Sequence, residues 1–267
     1  MNLNELKEKS KQIRTDILNM LYKCQSGHPG GSLSCVEMLM AIYYKTAKVD
    51  PKNPKMEDRD RLVLSKGHGC PALYSILADL QFFPKSDLDS LRQLDSHLQG
   101  HPDMKKTPGV DASTGSLGQG IAIALGMALA AKHKKQDHKV FAVMGDGELQ
   151  EGIVWEAAQS AAHYKLDNLI VLVDNNGLQI DGAVKDVLAV GDVVKKFDAF
   201  GFDCYEVDGH DIEEIAKAIQ LPSKGKPRLI SCKTIKGKGV SFMEDNYSWH
   251  GKILAKEEYE KAMEVLV

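Results

Sequence analysis

The sequence lacks a charge excess and a cysteine framework. Its 34 basic and 37 acidic residues leave a net charge of only -3, so it has no electrostatic footprint for nucleic acid or for an anionic membrane. The five cysteines are odd in number and contain no Cys-x-x-Cys pair, which argues against both a disulfide framework and a zinc site. We therefore expect a cytoplasmic protein that binds a small molecule and neither nucleic acid nor membrane.

No segment is apolar enough for a secretory signal or a membrane span. The first ten residues, MNLNELKEKS, are too charged for the core of a signal peptide. The longest apolar run, from Ile121 to Ala131, is interrupted by Gly126 and is too short to cross a bilayer, so it predicts a buried helix. A length of 267 residues with 43% hydrophobic residues suits a single domain over residues 1–267.

Strand-like apolar runs alternate with helical stretches along the chain. Strands are predicted at 61–64, 140–144, 169–173, 203–207 and 228–232, and helices near 148–163, 192–200 and 211–219. This alternation predicts an α/β fold with a doubly wound, mostly parallel sheet and helices on both faces.

The regions outside this alternation are predicted as helices and loops. Helical spacing is seen from Leu6 to Leu21, from Val36 to Tyr44 and from Glu257 to Val267, with loops at Ser26–Gly31 and Pro222–Pro227. Ligands of parallel sheets bind at the carboxyl ends of the strands, so we expect the functional loops there.

Two of the predicted strands each end in a polar loop. Gly145-Asp146-Gly147 follows the strand at 140–144, and Asn175-Asn176 follows the strand at 169–173. Asp146, the amide oxygen of Asn176 and the carbonyl of Leu178 are the hard oxygen donors that Mg²⁺ prefers when it also holds phosphates. Gly145 and Gly147 let the backbone approach a diphosphate closely. A tripeptide of turn residues often only reverses the chain, so the prediction depends on the two loops together.

Further Gly-rich loops carry histidines or precede a helix. Thr114 to Gly120, TGSLGQG, directly precedes the Ile121 helix and could lie against a flat ligand. Four histidines, His28, His68, His101 and His250, lie beside Gly or Pro in loops, which suggests placement in a cleft. Imidazoles can bind hydroxyls and transfer protons near neutral pH, so a polyol-binding cleft is favoured.

Taken together, these motifs resemble the N-terminal, thiamine diphosphate-binding part of transketolases. The matching segments run from about His28 to His250, which is most of the chain. The resemblance implies thiamine diphosphate with Mg²⁺, or Ca²⁺ or Mn²⁺, and transfer of a two-carbon ketol unit from a ketose phosphate to an aldose phosphate. Xylulose 5-phosphate and ribose 5-phosphate are the default pair in the family's pentose phosphate chemistry.

The resemblance also assigns roles to individual residues. The expected catalytic residues are His28, His68, His101, His250, Glu151 and Glu156. The expected cofactor-binding residues are His68, Gly115, Ser116, Leu117, Gly145, Asp146, Gly147, Glu148, Asn176 and His250. The expected metal ligands are Asp146, Asn176 and Leu178. Glu151 and Glu156 resemble residues at the family's subunit interface. Lys236 and Lys238 fit either phosphate binders or a mobile closing loop.

One part of the family's active site has no counterpart in this sequence. Transketolases activate the cofactor with a glutamate from a second domain, and single-chain members are more than twice as long. We therefore expect a separate C-terminal transketolase subunit that supplies this glutamate and the substrate-phosphate arginines, in a heterotetramer of two copies each.

Other interpretations of the same motifs stay open. The α subunit of a 2-oxo acid dehydrogenase also carries the Gly-Asp-Gly to Asn-Asn signature, although it has less need for sugar-facing histidines. A deoxyxylulose-phosphate synthase-like enzyme would be expected as one long chain. A non-catalytic subunit that only binds thiamine diphosphate is the alternative from another functional class.

Overall fold

Five parallel strands form the central sheet of the protein, in a computed structural model that describes residues 1–222 and 225–266. The strands of the sheet are β1 (Arg61–Leu64), β2 (Val140–Gly145), β3 (Leu169–Asn175), β6 (Asp203–Asp208) and β7 (Arg228–Lys233), and their order is β1-β2-β3-β7-β6. A short antiparallel hairpin, β4 (Leu178–Gln179) and β5 (Gly182–Ala183), follows β3. The predicted strands are therefore confirmed to within two residues at their ends.

Ten α-helices are present among the described residues. They are α1 (Leu3–Cys24), α2 (Pro29–Leu33), α3 (Val36–Met40), α4 (Cys70–Asp79), α5 (Gln119–His133), α6 (Gly152–His163), α7 (Val184–Leu188), α8 (Val193–Ala199), α9 (Ile212–Gln220) and α10 (Lys256–Leu266). The start of α1 shows why the chain folds so: Asn2 and Glu5 form a reciprocal capping box that satisfies free backbone N–H groups.

The sheet separates two hydrophobic cores, because successive residues of a strand point to opposite faces. Phe141 and Val143 of β2 face α1, α3, α4 and α9. Val140, Ala142 and Met144 of the same strand face α5, α6 and α8. Both faces are covered by helices, which confirms the predicted α/β architecture.

Several predicted boundaries are wrong. Residues Pro29–Gly31, expected in a loop, begin α2, because proline fits the first turn of a helix, where its missing N–H is not needed. The helix expected to reach Tyr44 changes after Met40 into a wider π-helical turn, Ala41–Thr46. The helix expected from residue 148 begins as a 3-10 turn, Gly147–Gln150, before α6.

Two expectations reach beyond the described residues. Ser223 and Lys224 of the expected Pro222–Pro227 loop, and Val267 at the end of the expected terminal helix, lie outside them. Over residues 1–222 and 225–266, no helix combines the length and hydrophobicity that crossing a membrane requires.

Candidate active site

Asp146 joins the loops at the carboxyl ends of β2 and β3. Strand pairing places Gly145 opposite Asp174, so the two turns lie side by side. Asp146 is buried and accepts hydrogen bonds from the backbone N–H of Gly147, at 2.8 Å, and from that of Gly177. Burial and the negative charge of Asp174 raise the pKa of Asp146 to about 6. A cation bound at this carboxylate would favour its charged form.

The other predicted metal ligands lie in the same cleft. The Asn176 amide oxygen accepts from the Leu178 N–H at 3.1 Å, and the Leu178 carbonyl accepts from the Lys236 ammonium at 3.3 Å. Each of these oxygens keeps a further lone pair, so one carboxylate, one amide and one carbonyl form a donor set suited to a hard cation. Within the described ranges, no three His, Cys, Asp or Glu side chains cluster into a metal site of another kind.

The cleft around these loops gathers nearly all the predicted site residues. It has a volume of about 380 Å³, which is within the range of small-molecule sites. The predicted residues that line it are His28, His68, His101, Gly115, Leu117, Gly145, Asp146, Gly147, Glu148, Glu151, Asn176, Leu178 and His250. Ser116 is exposed beside the cleft, and Glu156 lies on the exposed side of α6.

The four loop histidines form one cluster. The ring centroid of His28 lies 5.3 Å from that of His68, 5.2 Å from that of His250 and 6.2 Å from that of His101. These residues come from loops far apart in sequence, and the fold brings them to one wall of the cleft. The prediction that they share a site is geometrically consistent with this arrangement.

The histidines of the cluster are neutral at physiological pH. Burial and the positive charges of Arg92 and His101 lower the pKa of His28 to about 4, and burial with the charge of Lys236 lowers that of His250 to about 3. Burial also lowers the pKa of His68 and of His101. A neutral imidazole can donate from one nitrogen and accept at the other, so the cluster can bind hydroxyl groups in both ways.

Lys236 determines which nitrogen of His250 carries the proton. The Lys236 Nζ lies 3.2 Å from Nδ1 of His250. Because an ammonium group can only donate, Nδ1 accepts, and the proton of the neutral ring is on Nε2. Lys236 is itself buried, and burial together with the charge of Lys66 lowers its pKa to about 8.

A second lysine of the cleft is held by a buried ion pair. Lys66 and Asp174 pair directly, and Lys66 also donates to the Gly31 carbonyl at 2.8 Å. Asp174 further accepts from the hydroxyl groups of Ser34, at 2.6 Å, and Thr234. This network ties β3 to the loop after β1, to α2 and to the segment after β7.

The Gly-rich loop before α5 packs closely against the histidine loops. A Cβ atom on Gly115, where φ is +140°, would lie 3.0 Å from the His101 ring, and one on Gly67 would lie 2.8 Å from the backbone N of Gly115. Glu148 holds this packing with both carboxylate oxygens, since it accepts from Ser65 Oγ, Gly118 N and Gly145 N. Its expected contact with the cofactor stays a prediction.

Three residues of the site region carry no signal in the sequence that would single them out. The sequence does not predict the buried Lys66 to Asp174 pair, although both residues stand inside recognisable motifs. His210, which has no distinctive sequence context, lies with its Nδ1 3.0 Å from Glu37 and accepts from the Ile235 N–H at 2.9 Å. This contact anchors the start of the segment that carries Lys236.

Comparisons with known proteins agree with this geometry. Residues 6–266 match the family model described as transketolase, thiamine diphosphate binding domain. One of the two chains of an apulose-4-phosphate transketolase from Actinobacillus succinogenes, named as a subunit, is 41% identical, and the match covers 100% of this chain and 97% of the relative. A 6-deoxy-6-sulfo-D-fructose transketolase subunit from a Clostridium species is 42% identical over 97% of this chain and 95% of the relative.

A solved structure is similar as well. The crystal structure of transketolase from Campylobacter jejuni superposes with a TM-score of 0.92 at 41% identity, and the match covers 100% of this chain but 43% of that protein. The chain thus spans less than half the length of this solved transketolase. On the family match, the sequence identities and the shared fold, the chain belongs to the transketolase family and corresponds to its N-terminal thiamine diphosphate-binding part.

Proposed function

We propose that this chain is the cofactor-binding subunit of a split transketolase. Together with a separate C-terminal subunit, it would transfer a two-carbon ketol unit from a ketose phosphate to an aldose phosphate. The observation that carries the proposal is the single cleft in which Asp146, Asn176 and Leu178 lie across from the histidine cluster. Relatives named as transketolase subunits are matched over nearly their whole length, which supports a two-chain enzyme.

The residues of the cleft fit thiamine diphosphate and a divalent cation. A Cβ atom on Gly145 would meet nothing within 4 Å, so open space borders the predicted diphosphate loop. The His28 Nδ1 atom is buried without a hydrogen-bond partner among the described residues, as expected for a group that binds a ligand. Asp146, Asn176 and Leu178 would hold Mg²⁺, and Ca²⁺ or Mn²⁺ could use the same oxygen donors.

The protein's own groups would bind and orient the reactants. When bound, the cofactor supplies the electron sink for the two-carbon unit. His28, His68 and His101 are neutral, so they can hold substrate hydroxyl groups and exchange protons with them. His250 would donate its Nε2 proton toward the cleft, because Lys236 occupies Nδ1. Gly115 and Leu117, with Ser116 beside them, would lie against the cofactor rings, and His68, Gly147 and Glu148 would lie near its diphosphate.

A second copy of the chain would complete the proposed heterotetramer. Helix α5 is apolar on all sides, and Ile123 and Leu129 on its outer face are each 37% exposed. A helix of this kind is normally buried. Glu151 and Glu156 lie at the start and on the outer face of the neighbouring α6, so contact through α5 and α6 would bring these acidic residues to the interface.

The substrates are proposed as phosphorylated sugars, with xylulose 5-phosphate and ribose 5-phosphate as the default pair. The relatives are named for apulose-4-phosphate and for 6-deoxy-6-sulfo-D-fructose. All of these are sugars, and each relative's named substrate carries an anionic group. A panel of these donors in one assay would identify the substrate.

Reconstitution tests the proposed function. The purified chain is assayed for ketol transfer with thiamine diphosphate, Mg²⁺ and sugar phosphates, alone and with the C-terminal subunit. We expect turnover only when both chains are present, because the activating glutamate would come from the second chain. Full activity from this chain alone would contradict the split arrangement, and pyruvate-dependent turnover would instead favour the synthase-like alternative.

A further inference from the structure

Lys236 carries a buried positive charge that no carboxylate balances. Its side chain is 2% exposed, and within the described ranges no Asp or Glu oxygen lies within 4.0 Å of its Nζ atom. The Nζ atom donates only to neutral groups, the Leu178 carbonyl at 3.3 Å and Nδ1 of His250 at 3.2 Å. An ammonium group buried without a counter-ion is unfavourable, so the arrangement calls for an anion in the cleft.

The other buried lysine of the cleft provides the contrast. Lys66 is also 2% exposed, but its charge is balanced by the carboxylate of Asp174. Both lysines lie beside the same loops, and only one is neutralised by the protein. The paired lysine therefore supports the structure, and the other is available to a ligand.

The backbone around Lys236 holds its side chain in place. A Cβ atom on Gly30 would lie 3.0 Å from Cγ and 3.2 Å from Cε of Lys236, so the aliphatic part of the side chain lies directly on this glycine. The Gly237 N–H donates to the Gly30 carbonyl at 3.1 Å. Lys236 is thus fixed by α2, and its ammonium group points at the metal loop.

We propose that Lys236 is a diphosphate-binding residue, whose ammonium group neutralises the thiamine diphosphate beside the metal. This inference rests on the proposed function and adds a residue to it. The position of Nζ, in contact with the carbonyl of the expected metal ligand Leu178, favours the cofactor diphosphate over a substrate phosphate. The sequence leaves Lys236 and Lys238 open between phosphate binding and loop closure, and the structure separates them.

Lys238 is the matched control, because it lies two positions away on the same segment but outside the cleft. Its side chain is 33% exposed, and its Nζ lies 3.5 Å from Glu244. Titration calorimetry of the full chain in Mg²⁺ compares Lys236→Met, Lys236→Arg and Lys238→Met with the wild type. The probes are thiamine diphosphate, thiamine without phosphate, and ribose 5-phosphate.

We expect Lys236→Met to weaken thiamine diphosphate binding at least about tenfold, the loss of one charge-assisted contact. Thiamine binding should not change, Lys236→Arg should retain part of the affinity, and Lys238→Met should behave as the wild type. Without ligand, Lys236→Met should melt at the same or a higher temperature than the wild type, because it removes an uncompensated buried charge.

Three results would overturn the inference. Lys236→Met could bind thiamine diphosphate as tightly as the wild type. It could lose affinity only for ribose 5-phosphate, which would make Lys236 a substrate residue. It could lower the melting temperature and weaken thiamine and thiamine diphosphate equally, which would show a structural role. A wild-type chain that binds no thiamine diphosphate in Mg²⁺ would instead refute the proposed function itself, and that result is distinguishable from the other three.

Discussion

At the scale of single residues, the histidine cluster is where chemistry can be separated from binding. His101 lies 6.2 Å from His28 between ring centroids, and its backbone carbonyl accepts from Tyr74. The residue type is suited to proton transfer, and the cleft lowers its pKa by burial, so it is neutral in use. A residue that acts on the substrate should affect turnover more than cofactor affinity.

The variant His101→Ala tests this role in the reconstituted enzyme. We expect turnover to fall by about 10²- to 10⁴-fold, the usual contribution of a proton-transferring group, with thiamine diphosphate affinity little changed. Steady-state kinetics and calorimetry measure the two quantities. His163→Ala, on the exposed end of α6, serves as the control. An unchanged rate in His101→Ala would favour the subunit that only binds the cofactor.

The buried state of His28 makes stability depend on pH. Its pKa is about 4 in the folded chain, lowered from an ordinary value of 6.5 by burial and by the charge of Arg92. Between these two values the unfolded chain binds a proton that the folded chain does not, so stability rises with pH through this window and falls on acidification.

We therefore expect the melting temperature of the chain without cofactor to fall between pH 6.5 and about 4, and to fall less steeply in His28→Asn. Calorimetry across this pH range measures the slope. The exposed His133→Asn on α5 should leave the slope unchanged. Equal slopes in the wild type and His28→Asn would show that burial of this imidazole does not influence stability.

At the scale of elements, the loops after the strands are held by one buried ion pair. The Lys66 to Asp174 pair connects the loop after β1 with β3, and neither side chain is more than 2% exposed. Burial alone would lower the pKa of Lys66, but Asp174 outweighs it and raises that pKa, so the pair is charged. Its hydroxyl partners satisfy the remaining oxygen lone pairs, which a buried pair requires.

Removing one partner should therefore be costly. Lys66→Met leaves Asp174 buried without a counter-ion, and we expect the free energy of unfolding to fall by about 3–5 kcal/mol. The exposed Lys132 to Asp167 pair, at 2.9 Å, is the control. Lys132→Met should cost no more than about 1 kcal/mol. Denaturant unfolding measures both, and similar losses in the two variants would contradict the structural role of the buried pair.

At the scale of the whole molecule, the exposed face of α5 indicates assembly. Ile123 and Leu129 are separated by almost two helical turns and present apolar side chains on one outer face. The chain spans less than half of the Campylobacter transketolase that it matches, so the remaining parts of the active site would come from other chains. Assembly and activity are linked in this proposal.

Charged substitutions on this face should separate the two copies. We expect Ile123→Glu with Leu129→Glu to halve the mass of the assembly in light scattering, because a carboxylate in an apolar interface is strongly unfavourable. Val265→Glu on α10 replaces an apolar residue that is 52% exposed and should leave the mass unchanged. An unaltered mass in the double variant would place the contact between copies elsewhere.

The sequence was sufficient for the features that depend on local pattern. The five sheet strands follow from short apolar runs, and the metal loop follows from Gly-Asp-Gly and Asn-Asn directly after two of them, because chemistry-bearing loops at strand ends leave a contiguous signature. The transketolase family is confirmed on those motifs, and the α/β fold on the alternation of strands and helices. Helix boundaries were less accurate, as at α2 and the π-helical turn, because packing decides where a helix ends.

Only the tertiary structure decided which charges are balanced. Lys66 and Asp174 are 108 positions apart and Lys236 and His250 are 14 apart, and no local pattern indicates that the first lysine has a carboxylate partner and the other has none. Burial turns that difference into function, because a charge out of water must be neutralised by the protein or by a ligand. The sequence by itself determined the fold and the family of this chain, and the packing of its loops decided which side chain is left for the cofactor.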